Sequence, residues 1–267
     1  MNVARVVTRL GGDALAVFPV GGPSGEMLSD LLTKEQISCS TIPISGVTRQ
    51  SFTVDERKSG AQYRFVLPGP QLSTAEQTQC LDQLAALNPV PAILVVSGSL
   101  PPAIAPDFLK QLGQLCARTG ARLIIDTSAE ALKQATDCGI YMLKPNLREL
   151  EALTGLHIHG EAGEVKAARL LITQGLAEVI VLSLGARGAL LVTGDSEERF
   201  AAIDVPIQSA VGAGDSMVAA MVLGLTRDLP LREAVRFGLA AGAAALITPG
   251  TELARREDVE RLYVIET

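Results

Sequence analysis

Residues 211–216 read Val-Gly-Ala-Gly-Asp-Ser, and they join a strand-like segment that ends near Val205 to an apolar helical pattern that begins at Met217. The first amides of a helix have no partner within the helix, and glycine has no Cβ. Gly212, Ala213 and Gly214 therefore predict a main-chain site for an anion such as phosphate. Asp215 follows directly, and a carboxylate beside an anion needs a chemical role, such as taking a proton from an attacking hydroxyl. The alternative is a plain helix start that Asp215 or Ser216 caps.

Two better-known phosphate motifs are absent from the sequence. A P-loop contains Gly-Lys-Ser/Thr, and no glycine of this chain precedes a lysine. The dinucleotide fingerprint G-x-G-x-x-G would need a glycine where Met217 stands. The junction therefore indicates a phosphate site of another type, which carries its own base.

The composition is that of an ordinary cytoplasmic enzyme. A chain of 267 residues can bury one large core, so residues 1–267 are predicted to form a single domain. The net charge is −6 and 19% of the residues are charged, which argues against nucleic acid or an anionic membrane as a partner. Four scattered cysteines without a C-x-x-C pair suit reduced, buried thiols.

Short apolar runs alternate with helical patterns over most of the chain. The predicted strands are Leu15–Val20, Ala92–Val96, Arg122–Asp126, Tyr141–Leu143 and Glu178–Leu184. The helical patterns between them are Glu26–Lys34, Ala75–Leu87, Asp107–Thr119, Leu147–Leu153 and Val165–Gln174. This alternation predicts an α/β fold with a doubly wound, mostly parallel sheet. Near the end, Gly214–Leu225 and Leu231–Ile247 form an Ala- and Gly-rich helix pair that is predicted to pack closely.

One segment, about residues 46–68, departs from the alternation. Thr48–Asp55 and Gln62–Leu67 alternate polar and apolar residues, as an antiparallel hairpin with one face in water does. The hairpin is predicted to form a flap beside the main sheet. Arg49 and Arg64 lie in it, and two guanidinium groups over a cleft could hold a phosphate. Alternatively, both are solvated arginines on strands.

Three polar segments follow predicted strands, at the sheet edge where α/β enzymes bind ligands. They are Ser97–Pro102, Lys144–Glu149 and Ser183–Gly188. Asn146 and Glu149 would share one side of a helix start, where they could orient a magnesium ion through water or could form a capping box. The glycines of Ser183–Gly188 would let a nucleotide lie against the backbone, although they also suit a simple hairpin turn.

Together these segments resemble the ribokinase/PfkB family of carbohydrate kinases. The stretches that carry the resemblance follow the family's order over nearly the whole chain: Gly21–Gly25, Thr48–Gln50, Gln62–Val66, Ser97–Pro102, Lys144–Glu149, Ser183–Gly188 and Val211–Ser216. The resemblance implies a ribokinase-like fold in which residues 46–68 form a small β-hairpin lid, with a homodimer formed through the lid. It implies ATP-dependent phosphorylation of a sugar phosphate. Fructose 6-phosphate is the expected acceptor, with tagatose 6-phosphate and fructose 1-phosphate as alternatives.

The resemblance also implies a role for each matching residue. Asp215 would be the catalytic base beside the sugar, and Gly212, Ala213 and Gly214 would hold the transferred γ-phosphoryl group. Arg49 and Arg64 would clamp the phosphate already on the sugar, and Asn2 would hydrogen-bond the sugar. ATP would be bound by Lys144, Asn146, Ser183, Leu184, Gly185, Ala186, Arg187 and Gly188. Asn146 and Glu149 would organise Mg²⁺ through water, and Thr248 and Gly250 would lie near a monovalent cation, often K⁺.

The sequence departs from the family pattern at its start. Family members carry a strand, part of the lid and a Gly-Gly-x-Gly turn before an Asn-Val-Ala-Arg motif, which here is Asn2–Arg5. We therefore expect the first strand and part of the lid to be missing from residues 1–267, through an internal methionine read as the start or through natural truncation. Such a loss would weaken a lid-mediated dimer. A hypothesis of another class follows, in which the chain is a non-catalytic remnant that binds nucleotide.

Overall fold

The computed structural model describes residues 1–56, 58, 59, 62–133, 135 and 137–265. The strands are β1 Leu15–Val20, β2 Ser38–Pro43, β3 Phe52–Asp55, β4 Gln62–Phe65, β5 Ile93–Ser97, β6 Arg122–Asp126, β7 Ile140–Leu143, β8 Ala177–Ser183, β9 Ala189–Val192 and β10 Glu197–Phe200. The helices are α1 Asn2–Arg9, α2 Gly22–Lys34, α3 Thr74–Ala85, α4 Phe108–Thr119, α5 Ala129–Leu132, α6 Leu147–Thr154, α7 Gly160–Thr173, α8 Ala213–Thr226, α9 Leu231–Leu246 and α10 Arg256–Ile265. A short 3-10 turn covers Gly185–Arg187.

The main sheet has the strand order β10-β9-β8-β7-β6-β5. Strands β5 to β8 run parallel, and β9 and β10 add an antiparallel edge. The parallel strands β1 and β2 form a separate two-stranded sheet, and β3 and β4 form the expected antiparallel hairpin. The predicted mostly parallel α/β fold with a hairpin lid is therefore confirmed, although its parallel strands belong to two sheets.

Helices cover both faces of the main sheet, because its central strands are apolar on both sides. In β6, Ile124 faces one buried cluster, whereas Leu123 and Ile125 face the other. The first cluster is closed by α1, α8, α9 and α10, and the second by α4, α6 and α7. This arrangement is the doubly wound packing that the alternation of elements predicts.

The strand-like segment expected before residue 211 is not a strand. Strand β10 ends at Phe200, and residues 201–207 have no regular structure. Ile203 and Val205 instead pack their side chains against the cluster under α8 and α9. The apolar residues of that segment are therefore buried without strand pairing, and the prediction of a strand was wrong.

Helices α8 and α9 pack as closely as their small residues suggested. A Cβ added at Gly238 of α9 would lie 2.6 Å from Cγ of Met221 and 3.0 Å from the carbonyl oxygen of Met217 in α8. Only hydrogen fits at that crossing point, so glycine sets the distance between the two helices. None of the helices in the described ranges has both the length and the apolarity that a membrane span requires.

Candidate active site

The polar ends of the parallel strands meet at one edge of the main sheet. Strand β5 ends at Ser97 and β6 at Asp126, while Lys144 directly follows β7 and Ser183 ends β8. Because parallel strands point their carboxyl ends to the same edge, these residues share one edge of the sheet, and Ser97 and Lys144 reach the start of α8. Three of these strand ends were predicted from the sequence to carry site segments, but no role was predicted for Ser97 or Asp126.

Asp215 is held by two neutral hydrogen-bond donors at the start of α8. Asn2 Nδ2 donates to its Oδ2 at 2.9 Å, and Ser97 Oγ donates to its Oδ1 at 2.9 Å. Arg5 Nη1 in turn donates to Oδ1 of Asn2 at 3.3 Å, which fixes the direction of the amide. Both carboxylate oxygens are thus oriented by neutral donors. The structure brings Asn2 and Asp215 together, and a hydrogen bond from Asn2 to the sugar stays a prediction.

The N-terminus of α8 begins at a glycine. Gly212 is its N-cap with φ +81°, and no side-chain hydrogen bond caps the helix among the described residues. A Cβ at Gly212 would also lie 2.4 Å from Cδ2 of Leu253, so glycine is required on both conformational and steric grounds. The glycine N-cap of the alternative is therefore present, but its side-chain caps are not, because both Asp215 oxygens accept from Asn2 and Ser97 instead of from the first turn. Among the described residues, the Ser216 hydroxyl is the one buried side-chain polar atom without a hydrogen-bond partner.

A buried ion pair stands beside this helix start. Lys144 Nζ lies 3.1 Å from Asp126 Oδ1, and the Lys144 side chain is only 6% exposed. The same Nζ is 3.6 Å from the position of a Cβ at Gly214, so the ammonium group and the first turn of α8 face the same space. Burial raises the pKa of Asp126 above its ordinary value, the Lys144 charge opposes that rise and Asp215 adds to it. An acid at the end of an apolar strand was the sequence signal for Asp126.

Asn146 and Glu149 form a capping box at the start of α6. Oδ1 of Asn146 accepts from the Glu149 amide at 3.0 Å, and Oε2 of Glu149 accepts from the Asn146 amide at 2.9 Å. The capping alternative is therefore confirmed, and it leaves Oε1 of Glu149 outside the box. The described residues contain no cluster of three His, Cys, Asp or Glu side chains that could hold a metal. A magnesium ion held here through water stays a prediction.

The turn after β8 is tied to the segment after β7. The Ser183 amide and hydroxyl both donate to the Pro145 carbonyl, at 2.9 and 3.2 Å. Gly188 has φ +83°, and a Cβ there would lie 1.9 Å from the Phe200 carbonyl oxygen. Arg187 Nη1 is 2.7 Å from Oε1 of Glu164 on α7, so its side chain is engaged outside the turn. We therefore expect the turn to contact a nucleotide mainly through its backbone.

The lid contributes one described cationic side chain to the site. Arg49 Nη2 donates to Ser99 Oγ at 2.7 Å, and its Nη1 donates to the Leu67 carbonyl at 3.3 Å. Arg49 therefore joins the lid to the loop after β5. Arg64 pairs with Thr53 in the β3–β4 ladder, but its side chain lies outside the part of the chain that the structure describes. The two-arginine clamp stays a prediction.

The Thr248–Thr251 loop lies next to the approach to α8. Thr248 Oγ1 donates to the Ala245 carbonyl at 2.7 Å and to the Glu252 carbonyl at 3.0 Å. Ser209 Oγ donates to the Gly250 carbonyl at 2.6 Å and accepts from the Val211 amide at 3.2 Å. The loop thus sits against the residues that precede Gly212, where the monovalent cation was expected.

Comparison with known proteins identifies the class to which this fold and site belong. Residues 1–257 match the family described as pfkB family carbohydrate kinase. The chain therefore belongs to the pfkB family of carbohydrate kinases, and the expected ribokinase-like α/β fold is confirmed by its structural relatives.

The more similar relatives are phosphofructokinases. An ATP-dependent 6-phosphofructokinase isozyme 2 of Mycobacterium tuberculosis is 47% identical over 98% of this chain and 77% of the relative. The protein of that name from Escherichia coli is 43% identical over 98% of this chain and 85% of its own length. A Bacillus subtilis 1-phosphofructokinase is 31% identical over 98% of this chain and 84% of its own length.

Solved structures of the E. coli protein match the whole described fold. Phosphofructokinase-2 in complex with potassium has a TM-score of 0.93 and 42% identity, with 99% of this chain and 85% of that chain covered. A structure described as its tetrameric inhibited form has a TM-score of 0.91 and 42% identity, with the same two coverages of 99% and 85%.

Proposed function

We propose that this chain transfers the γ-phosphoryl group of ATP to a hydroxyl of fructose 6-phosphate, with fructose 1,6-bisphosphate and ADP as products. The observation that carries the proposal is the placement of Asp215. Its carboxylate is oriented by Asn2 and Ser97 at the uncapped start of α8, beside the Lys144 ammonium. The relatives at 43 and 47% identity, both named ATP-dependent 6-phosphofructokinases, support the same reaction and favour it over the 1-phosphofructokinase alternative at 31%.

The residues of the chain divide the work of phosphoryl transfer. Asp215 accepts the proton of the acceptor hydroxyl as that oxygen bonds to the γ-phosphorus, and the bond from phosphorus to the bridging oxygen of ADP breaks. The first amides of α8 and the Lys144 ammonium stabilise the charge on the transferred group. Mg²⁺, when bound with ATP, would supply further charge neutralisation, and Oε1 of Glu149, which lies outside the capping box, fits a water-mediated contact.

The lid side of the site suits an acceptor that already carries a phosphate. The Arg49 guanidinium group donates to the Ser99 hydroxyl. A phosphate bound between them would accept hydrogen bonds from both groups in place of that bond. Arg64 would add a second cation from β4. A neutral sugar would leave Arg49 without an anionic ligand, which favours a sugar phosphate, with tagatose 6-phosphate and fructose 1-phosphate as further acceptors to test.

We also propose that a monovalent cation binds near Thr248 and Gly250 and that copies of the chain associate through the lid. The cation site is supported by the potassium complex of the E. coli relative and by the contact of the Thr248–Thr251 loop with the approach to α8.

Association of copies through the lid is supported by Phe52, Tyr63 and Phe65, whose exposures of 54, 51 and 48% leave an apolar surface on the hairpin. One relative is described as tetrameric, so this contact is compatible with assemblies larger than the expected dimer. A cytoplasmic location stays a prediction.

A coupled ADP-release assay tests the proposed reaction. The wild type is assayed with ATP, Mg²⁺ and each of the three sugar phosphates, beside Asp215→Asn and the control Asp195→Asn, which alters an exposed loop residue. We expect Asp215→Asn to lower kcat by about 10²- to 10⁴-fold and to keep ATP binding, because only the base is lost. Retained turnover in that variant would remove Asp215 from the role of base. A folded wild type that binds ATP without turnover would favour the nucleotide-binding alternative.

A further inference from the structure

The first turn of α3 is bonded to both stems of the lid. Oε1 of Glu76 accepts hydrogen bonds from the Ser45 amide at 2.6 Å and from the Ser45 hydroxyl at 3.0 Å. Oε2 accepts from the Ser73 amide at 2.7 Å and from the Ser73 hydroxyl at 2.9 Å. Ser45 lies on the stem that leads from β2 into the lid, and Ser73 ends the stem that leaves it. A single carboxylate therefore joins the two stems.

The next residue, Gln77, joins the same helix turn to the loop after β5. Its side chain is buried, with 7% exposure. Nε2 donates to the Leu72 carbonyl at 2.9 Å, and Oε1 accepts from the Ala105 amide at 2.8 Å. Leu72 belongs to the outgoing stem, and Ala105 belongs to the loop that begins after Ser97. Glu76 and Gln77, called here the α3 anchor, thus bind all three segments.

Two of these segments lead to the groups that would meet the sugar phosphate. The incoming stem leads into the lid, where Arg49 donates to Ser99 of the loop after β5. The stems are in direct contact, because a Cβ at Gly46 would lie 2.4 Å from Cβ of Pro70. A shift of one stem against the loop would therefore change the distance between Arg49 and Ser99.

The anchor does more than cap a helix. A capping box at α3 needs only Ser73 and one carboxylate oxygen. The second oxygen of Glu76 reaches a residue 31 positions earlier in the chain, which adds nothing to the helix start. Hydrogen bonds to the Glu76 carboxylate lower its pKa to about 2. The bond from the Ser45 amide has the largest effect, followed by the bonds from the Ser73 amide and hydroxyl. The carboxylate is therefore ionised at every pH at which an enzyme of this kind would be assayed.

We propose that Glu76 and Gln77 are positioning residues that hold Arg49 and Ser99 in register for the phosphate of the sugar. The inference rests on the proposed function for its substrate and on the hydrogen bonds above for its geometry. The hydrogen bonds of the anchor reach the two stems and the loop after β5, which lead to Arg49 and Ser99 and not to the segments proposed to bind ATP. Loss of the anchor should therefore affect the acceptor and spare ATP.

The kinetic test compares Glu76→Gln with Ser73→Ala. The glutamine keeps one acceptor oxygen but turns an NH₂ group toward donors, whereas Ser73→Ala weakens the capping box and keeps both Ser45 contacts. We expect Glu76→Gln to raise the KM for fructose 6-phosphate on the order of tenfold, with the KM for ATP within about twofold. Ser73→Ala keeps the Ser73 amide contact and both contacts to the stem that leads to Arg49, so it should raise the KM for fructose 6-phosphate by less than Glu76→Gln does. Ser45→Ala removes one of the two Ser45 donors, so it should raise the KM for fructose 6-phosphate by a smaller factor. It replaces Glu76→Gln in the test if that variant folds poorly.

Hydrogen exchange provides a measurement that does not require turnover. Glu76→Gln should speed exchange of the amides of Ser45 and residues 48–55, whereas Ser73→Ala should leave them unchanged. Equal effects of the two variants on the KM values, or unchanged exchange in Glu76→Gln, would overturn the positioning role. If the wild type turns over none of the three sugar phosphates, the proposed function fails, and the exchange comparison still decides whether the anchor holds the lid.

Discussion

Single residues in this site show how environment gives one side-chain type several roles. Asp215 accepts from two neutral donors. Asp126 is buried against a cation, and Glu76 accepts from four neutral donors. Because a cation and four donors already engage the other two carboxylates, we expect Asp215 to be the one that accepts a proton in the proposed reaction.

Arg49→Ala tests the contact between the lid and the acceptor. We expect the KM for fructose 6-phosphate to rise by about tenfold or more, because a charge-assisted bond to the sugar's phosphate is lost, while the KM for ATP changes by less than about twofold. Arg49→Lys should have a KM for fructose 6-phosphate between those of the wild type and Arg49→Ala, since an ammonium group keeps the charge but lacks the planar fork of the guanidinium group. Steady-state kinetics measure both constants, with the exposed Arg118→Ala as control. Parallel increases in both KM values would refute the assignment.

Lys144→Met tests the buried ion pair and its dependence on pH. The change leaves the Asp126 carboxylate buried without its cation, so we expect a loss of about 3–5 kcal/mol in the free energy of unfolding near pH 7. Burial already raises the pKa of Asp126, and the loss of Lys144 raises it further. The folded state then takes up a proton more readily than the unfolded chain, so the penalty is absent below the ordinary carboxyl pKa and grows as pH rises through the folded pKa.

Urea unfolding of Lys144→Met at pH 7 and pH 5 measures this dependence. We expect a smaller deficit at pH 5 than at pH 7. The double variant Lys144→Met with Asp126→Asn should show a smaller deficit that does not vary with pH, because no charge remains in the pair. A single variant whose deficit is the same at both pH values would contradict the electrostatic explanation.

At the scale of elements, the start of α8 depends on glycine at its N-cap. Gly212→Ala would place a side chain at φ +81° and against Leu253, so we expect about 1–2 kcal/mol of backbone strain and a displaced first turn. Turnover should fall by more than the loss of stability explains, since the amides of that turn are proposed to hold the transferred group. Gly175→Ala is the matched control, with φ +73°, open space around it and no proposed role in the site. Equal kcat values in the two variants would argue against an anion site at α8.

Element starts and ends were read from the sequence with uneven success. The Asn146–Glu149 spacing suggested a capping box as one of two alternatives, and the structure contains it, because a capping box depends on residues three apart. The strand-like segment that ends near Val205 is not a strand, because a strand also needs a neighbour to pair with. Local hydrogen bonds could thus be read from local sequence, whereas pairing could not.

At the scale of the whole molecule, the packing of α9 against α8 stabilises the helix that carries Asp215. Gly238→Ala should lower the free energy of unfolding by about 1–3 kcal/mol, because the new Cβ would overlap Met221. Gly163→Ala is a matched change in helix α7, where the nearest atom is 3.5 Å away, and it should be neutral or stabilising through helix propensity. Thermal or urea unfolding distinguishes them. Similar stability changes in both variants would show that the close crossing of α8 and α9 is not required.

The sequence by itself determined the alternating α/β architecture, the hairpin, the glycine-rich start of α8 and the family, because each depends on residues that are near neighbours in the chain. Only the tertiary structure decided which side chains meet. Ser97 and Asn2 reach Asp215 from positions 118 and 213 residues away, and Glu76 joins two stems of the lid. Such contacts depend on the order and direction of the strands, and hydrophobic periodicity specifies which face of an element is buried without specifying its neighbour.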